Sequence, residues 1–198
     1  AIFRGPGGQT PWPFGWVMRL SDMPANPETP GGALQWRMAA TGGTPWEGGL
    51  GFANPDNLAI DQRGNVWMVT DRSFGSSQSD IFGKNACWIL PRNAAPQQQA
   101  VLFASGPIEC ELCGPCFDAE EHTLFLAVQH PGEQHGCHER QRIEMQAFTL
   151  EDRSGQRFDQ LRTVPLGSNW PSGVPGRPPR PAIVAVSRNQ GGPLLPEA

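Results

Sequence analysis

The feature that most restricts the fold of this chain is an internal repeat of thirteen residues. Residues 57–69, NLAIDQRGNVWMV, align without gaps with residues 114–126, GPCFDAEEHTLFL, at a constant offset of 57 positions. Each copy has an apolar residue, an aspartate, a four-residue polar turn and an apolar strand pattern. A β-unit that recurs after about 40–50 residues is typical of propeller blades, and the longer offset suits a blade with a loop insertion.

The repeat also predicts how its turns are stabilised. The carboxylates of Asp61 and Asp118 stand where an aspartate can accept hydrogen bonds from the turn backbone. Gly64 supplies a positive φ in the first copy. Glu121 holds that position in the second copy, so we expect the second turn to adopt a different conformation.

Strand patterns recur along the rest of the chain and predict an all-β protein. Short β-branched or aromatic segments flanked by Gly, Pro, Asn or Asp are typical of strands. These segments are residues 17–20, 33–38, 66–69, 86–90, 100–103, 124–128 and 182–186. Only residues 138–148 have a composition compatible with a helix, and the proline-rich residues 169–181 predict an extended loop.

The number of strands predicts an incomplete β-propeller. A propeller closes with at least four blades, whereas these strands are enough for about three. We therefore expect residues 1–198 to form a single partial propeller domain, which is either part of a longer protein or completes its ring with another chain.

Charge and hydropathy exclude two classes of partner. The formal net charge is −4, whereas proteins that hold a nucleic-acid backbone present a basic face. No run of 18 or more apolar residues occurs, so no membrane span is expected. Small molecules and divalent cations remain as partners.

The repeat carries a resemblance to a known family. Residues 52–71, FANPDNLAIDQRGNVWMVTD, resemble the signature PDNLAFDPxGNLWxxTD of PhoX-type alkaline phosphatases. ELCGPCF at 111–117 and TLFLAVQHPGE at 123–133 resemble that family's E-x-T-G-P-x-F and TLFxxVQHPGE. SNWP at 168–171 and RPAIV at 180–184 are similar to its closing segment, and the resemblance spans about residues 45–192.

The resemblance implies a fold and an activity. It implies that the chain forms the C-terminal blades, about three, of a six-bladed ring. The central channel of that ring would hold calcium and iron, and phosphate esters would be hydrolysed there. It also implies export to the periplasm or the extracellular space, although the first residues carry no signal-peptide pattern. The family's iron-binding cysteine, and the arginine and glutamate of its upstream motif, have no match in this chain.

Three residues are the candidate metal ligands. Asp56 and Asn57 follow a proline at the inner edge of a predicted blade, and calcium prefers carboxylate and amide oxygens. Glu111 lies near the equivalent edge of the next blade, where a cation would remove the repulsion between two carboxylates. The alternatives are an Asx-turn for the first pair and a solvated loop for Glu111, with Glu109 as the substitute if the register differs.

Three further residues are candidates for supporting roles. Asp71 ends the first repeat strand and faces either the channel mouth or solvent. His130 lies in a turn, either as a proton donor beside the ligands or as a packed turn residue. Arg72 is the candidate phosphate-binding cation, because arginine forks bind phosphate well.

The cysteines leave a third class of function open. Cys110, Cys113 and Cys116 have metal-knuckle spacing, and Cys137, His130, His135 and His138 could complete a zinc or iron–sulfur site. Alternatively, Cys116 is a buried strand residue and Cys110 pairs with Cys113 in a disulfide. The hypotheses are therefore a calcium- and iron-dependent phosphatase, a non-catalytic propeller module for binding or assembly, and a metal or redox protein.

Overall fold

The computed structural model describes residues 12–22, 34–72, 80–93, 99–133, 143–165, 168–174 and 177–195, which form an all-β structure. The helical elements within these ranges are the short 3₁₀ turns Pro45–Glu47 and Asp80–Phe82. The strands are β1 Trp16–Asp22, β2 Leu34–Thr41, β3 Pro55–Ile60, β4 Val66–Thr70, β5 Ala86–Leu90, β6 Val101–Ser105, β7 Glu111–Phe117, β8 Thr123–Gln129, β9 Ile143–Glu151, β10 Arg157–Pro165 and β11 Ala182–Ser187. No helix in the described part of the chain is both long and apolar enough to cross a bilayer.

The strands form four antiparallel sheets. The first sheet is the pair β1–β2, and the second is the four-stranded meander β3-β4-β5-β6. The third sheet has the order β11-β8-β7, and β9 pairs with β10 in a separate hairpin. This hairpin lies between β8 and β11 in sequence, so β11 returns to pair with β8 after the insertion.

The second sheet packs between the first and the third. Alternate residues of a strand point to opposite faces of its sheet, and Trp67 and Met68 of β4 accordingly enter different apolar clusters. Trp67 joins Leu112 and Leu126 of the third sheet, and Met68 joins Val17 of the first sheet. Burial of such side chains stabilises the stack by about 1.5–3 kcal/mol each.

The repeat turns use their aspartates as the sequence predicts. Asp61 Oδ1 accepts the backbone N–H of Asn65 at 2.8 Å, and Asp118 Oδ1 accepts that of His122 at 2.8 Å. Asp61 is buried and its Oδ2 also accepts the indole N–H of Trp67 at 3.0 Å, so this turn is fastened to the core.

The prediction that the second turn differs is wrong. Glu121 adopts φ 55°, close to the φ 81° of Gly64, and each donates its backbone N–H to the aspartate carbonyl three residues earlier. This left-handed conformation costs energy for a non-glycine residue, and hydrogen bonds made by Glu121 offset that cost. Its Oε1 accepts the backbone N–H of Gln62 at 2.6 Å, and its carbonyl accepts that of Leu194 at 2.9 Å.

Each edge strand of the repeat contains a β-bulge. In β3, Asp56 and Asn57 together oppose one residue of β4. In β7 the extra residue comes one position later, between Cys113 and Cys116, where Gly114 has φ 52°. A bulge bends the strand and redirects the side chains that follow it.

The predicted strands are confirmed, and the helical expectation is wrong where it can be compared. All seven predicted segments overlap observed strands, and their ends differ from the observed ends by at most three residues. Residues 143–148 belong to β9, which pairs with β10 from Ile143 opposite Pro165 to Glu151 opposite Arg157. Residues 138–142 lie outside the described ranges. Pairing with a distant strand overrides the helical propensity of this segment.

Candidate metal site

The candidate site lies where the edge strands of two neighbouring sheets meet. β3 begins the second sheet and β7 is the edge of the third, and the backbone N–H of Gly114 donates to Asn57 Oδ1 at 2.9 Å. The starts of β3 and β7 lie beside the ends of β4 and β8, because both pairs are antiparallel. The repeat therefore brings polar residues from four chain segments to one end of the stack.

Three side chains converge at this end. One ligand atom each from Asp56, Glu111 and Cys113 lies within 4.8 Å of the other two. Glu111 and Cys113 are two residues apart on β7 and therefore share a face of the strand. The sequence expectation that Asp56 and Glu111 face a common space thus agrees with the structure.

Glu111 contacts two other polar side chains at this end of the stack. Its Oε1 accepts the thiol of Cys113 at 2.7 Å, and its Oε2 lies 3.3 Å from His130 Nε2. The side chain of Glu111 is 15% exposed, and these contacts replace part of the hydration that it loses on burial.

His130 lies between two carboxylates. Its Nε2 faces Glu111, and its Nδ1 lies 3.6 Å from Glu133 Oε2, beyond hydrogen-bond distance and without another partner in the described structure. The residue has φ 31°, a conformation that costs energy for a side chain of this size. His130 is therefore held beside a candidate ligand rather than packed only as a turn residue.

Electrostatics connect Asp71 to the same cluster. The pKa of Asp71 is raised from its usual value of 3.8, first by desolvation and then by the charges of Glu111 and Asp56, with Glu133 adding a smaller contribution. His130 opposes this shift. The side chain is exposed, and the direction of the shift records a local excess of negative charge.

An open cleft of about 500 Å³ adjoins these carboxylates. Asp56 and Asp71 line one part of it, and Trp12 and Trp16 line another. A small molecule in this cleft would contact acidic and aromatic side chains together.

Arg72 does not line this cleft. It is buried against a separate cavity of about 200 Å³, its guanidinium Nη2 donates to the Gly83 carbonyl, and its backbone N–H donates to Asn85 Oδ1 at 2.7 Å. These contacts favour a structural role, and its phosphate-binding role stays a prediction. The observed contact of the Asn57 side chain is the hydrogen bond that its Oδ1 accepts from the Gly114 backbone. Metal ligation by Asn57 therefore also stays a prediction.

Asn85 is a positioning residue that the sequence did not reveal. It is 1% exposed, and its Nδ2 donates to the Cys110 carbonyl at 2.9 Å. Its Oδ1 accepts the backbone N–H of Arg72, so one side chain fixes the residues directly adjacent to Asp71 and to Glu111. An asparagine between two strands carries no sequence signal for such a role.

Among the residues that the structure describes, Cys110, Cys113 and Cys116 do not form the cluster that their spacing suggested. Cys110 is fully buried in the core, where desolvation raises its pKa to about 12, and Cys116 is exposed. Cys116 was expected to be buried, but the bulge in β7 turns Pro115 and Phe117 inward instead. Cys110 and Cys113 are free thiols, so their disulfide is not formed. Cys137, His135 and His138 lie outside the described ranges.

The sequence spacing grouped Cys113 with other cysteines and with histidines, whereas the structure places it beside Asp56 and Glu111. Cys113 occupies the repeat position of Asp56, and that equivalence was the available signal for its place at the site. Its pKa is raised to about 11 by desolvation and by the hydrogen bond to Glu111.

The donor set fits a divalent cation. Asp56 and Glu111 supply carboxylate oxygens, and a cation would neutralise the charge that raises the pKa of Asp71. The thiol of Cys113 adds a soft donor, which iron or zinc accepts more readily than calcium does.

Comparisons with known proteins identify the family of this chain. The family model described as Alkaline phosphatase PhoX matches residues 15–132. This chain belongs to the PhoX alkaline phosphatase family. A comparison with curated proteins gave no match.

A solved PhoX structure shows the same similarity in three dimensions. It is Pseudomonas fluorescens PhoX in complex with vanadate, a transition state analogue, and it matches with a TM-score of 0.60 at 25% identity. The match covers 96% of this chain and 29% of that PhoX chain. The chain therefore spans less than a third of the length of this relative.

Proposed function

We propose that this PhoX-family chain forms part of a metal-dependent phosphatase that hydrolyses phosphate esters. The observation that carries the proposal is the convergence of Asp56 and Glu111, from two different sheets, beside an open cleft. Membership of the PhoX family supports the reaction class. The vanadate bound to the related PhoX is named there as a transition state analogue, which supports phosphoryl chemistry.

We propose that the first three sheets are blades of a larger β-propeller. Successive sheets pack face to face, and the edge strands β3 and β7 meet at the candidate site, as inner strands do around a central channel. The outer face of the third sheet leaves Ile183 75% exposed and Phe125 39% exposed. A further blade, from the same polypeptide or from another chain, would cover this face.

The proposed metals are calcium and iron, as the family resemblance implies. Asp56, Asn57 and Glu111 would hold calcium through their oxygens, while most iron ligands would come from outside this chain. A bound cation would supply Lewis-acid stabilisation of the charge on the phosphoryl oxygens. By the same resemblance, the protein would act in the periplasm or outside the cell.

The chain's own residues would prepare the substrate site. The carboxylates of Asp56 and Glu111 face one another across a few ångströms and fix where positive charge can bind. His130 Nε2, held by Glu111, can keep or release a proton within reach of the cluster. Trp12 and Trp16 would contact the organic group of the ester in the cleft.

The test is phosphate release from p-nitrophenyl phosphate by the complete protein that contains this chain. We expect EDTA to abolish release and Ca²⁺ with iron to restore it. Glu111→Gln should lower kcat/KM by about 100-fold, because removal of a metal partner commonly costs 10–100-fold or more. Glu120→Gln, an exposed change in the second repeat turn, is the control.

Two results would overturn the proposal. One is release that EDTA leaves unchanged, and the other is equal activity of Glu111→Gln and Glu120→Gln. If the complete protein binds metal and releases no phosphate from any ester, the non-catalytic module is the better description.

A further inference from the structure

The thiol of Cys113 lies inside the carboxylate cluster. Its Sγ belongs to the same set of ligand atoms as Asp56 and Glu111, all within 4.8 Å of one another. Carboxylates alone favour hard ions such as Ca²⁺ and Mg²⁺, whereas a thiolate favours zinc, iron and other softer metals. The donor set is therefore mixed in a way that a dedicated calcium site does not require.

The thiol is held in position by its neighbours on two strands. Gln129 Nε2 donates to the sulfur at 2.6 Å, and the thiol donates to Glu111 Oε1 at 2.7 Å. Glu111 is in turn held by His130 at 3.3 Å. Hydrogen bonds that orient a ligand in this way are a regular feature of protein metal sites.

The surroundings also contain uncompensated negative charge. Desolvation raises the pKa of Asp71 first, and the charges of Glu111, Asp56 and Glu133 raise it further. The ion pairs of the cluster among the described residues involve His130. A divalent cation between the three ligand atoms would reduce this repulsion. The adjoining cleft, lined by Asp56 and Asp71, gives such an ion an open path from solvent.

We propose that Cys113 is a direct ligand of the ion held by Asp56 and Glu111, so that this position also accepts a borderline divalent metal such as Zn²⁺. The proposal rests on the proposed function, because it concerns the same metal site. On binding, the S–H bond breaks, a sulfur–metal bond forms and one proton leaves to solvent. The metal keeps its oxidation state, so no oxidant or reductant takes part.

Cobalt substitution tests this ligand directly. We would titrate the full chain with Co²⁺ and follow the thiolate-to-cobalt charge-transfer absorption, a signal independent of phosphatase activity. The wild type should develop the band, and Zn²⁺ should displace it. Cys113→Ser should lose the band and bind Co²⁺ at least about tenfold more weakly.

Two cysteine variants are the controls. Cys116→Ser removes an exposed thiol from the same strand, and Cys137→Ser removes the thiol between His135 and His138 in sequence. Both should keep the band. Asp56→Asn should weaken Co²⁺ binding while the band remains at saturation, because the sulfur is still present.

Absence of the band in the wild type, or its persistence in Cys113→Ser, would overturn the inference. Calcium binding, measured by calorimetry on the same samples, separates this failure from that of the proposed function. Wild type that binds Ca²⁺ without a thiolate band would leave the phosphatase proposal standing and refute the role of Cys113. Wild type that binds neither ion would contradict both.

Discussion

The aspartates of the two repeat turns accept equivalent hydrogen bonds but lie in different environments. Asp61 and Asp118 accept hydrogen bonds from equivalent turn backbones, but Asp61 is buried beneath Trp67 and Asp118 lies in an exposed turn. Asp118 accepts its hydrogen bonds best as a carboxylate, so its turn depends on pH.

Asp118 should contribute stability that is lost in acid. Desolvation opposes the shift, but hydrogen bonds from Thr123 and His122 lower the pKa of Asp118 below its usual 3.8. A lowered folded-state pKa stabilises the protein above the unfolded-state value, and this contribution disappears as the pH falls through the folded-state value. Urea unfolding of Asp118→Asn from pH 5 to pH 2 should therefore show a smaller loss of midpoint than the wild type.

The control for this prediction removes the same charge elsewhere. Asp22→Asn changes the exposed end of β1 and should follow the wild-type pH profile. Parallel pH profiles for Asp118→Asn and the wild type would contradict the predicted role of the Asp118 carboxylate.

At the scale of the elements, Asn85 connects three pieces of the site. It lies just before β5 and bonds to the segment after β4 and to the Cys110 carbonyl, immediately before β7. Because Asp71 and Glu111 are directly adjacent to these anchor points, the positions of both carboxylates depend on a side chain outside the cleft.

Asn85→Ala should destabilise the chain and weaken its metal site together. Loss of the amide leaves the backbone N–H of Arg72 and the carbonyl of Cys110 buried without this partner, at a cost of about 1–3 kcal/mol for each such group. We expect a lower urea midpoint and weaker Ca²⁺ binding. Asn93→Ala, in the exposed turn after β5, is the matched control and should change neither. Equal behaviour of the two variants would refute the positioning role.

Most strands could be predicted from sequence, because each is a short apolar segment bounded by turn residues. β9 and β10 could not, because β9 contains good helix formers such as Glu144, Met145 and Ala147, and its strand conformation depends on pairing with β10. The turn at Glu121 was also missed, since its conformation depends on contacts with Gln62 and Leu194.

The site divides in the same way. The meeting of Asp56 and Glu111 follows from the repeat register and could be predicted. The place of Cys113 could not be predicted securely, because a bulge at Gly114 decides which side chains of β7 face inward. The buried contacts of Arg72 depend on Gly83 and Asn85, which sequence patterns do not bring together.

At the scale of the whole molecule, the candidate ligands come from two different sheets. Asp56 belongs to the second sheet, and Glu111 and Cys113 belong to the third. An ion bound among them would therefore tie the two sheets together, in addition to the apolar cluster between them.

Metal binding should raise the stability of the whole chain. At a free Ca²⁺ concentration of 100 times Kd, linkage gives about 2.7 kcal/mol. The thermal unfolding midpoint of the wild type should rise on addition of Ca²⁺ and fall again with EDTA. Glu111→Gln should respond much less, and a response as large as that of the wild type would show that the ion binds elsewhere.

The late return of β11 has a consequence for how the protein is made. β8 leaves the ribosome before the whole β9–β10 hairpin, so one of its edges waits for residues 182–187. At roughly 5–20 residues per second, this wait lasts seconds. During that interval the apolar β8 segment offers unpaired backbone groups to any other extended chain nearby. Nascent-chain quality control should therefore matter most between the synthesis of these two strands.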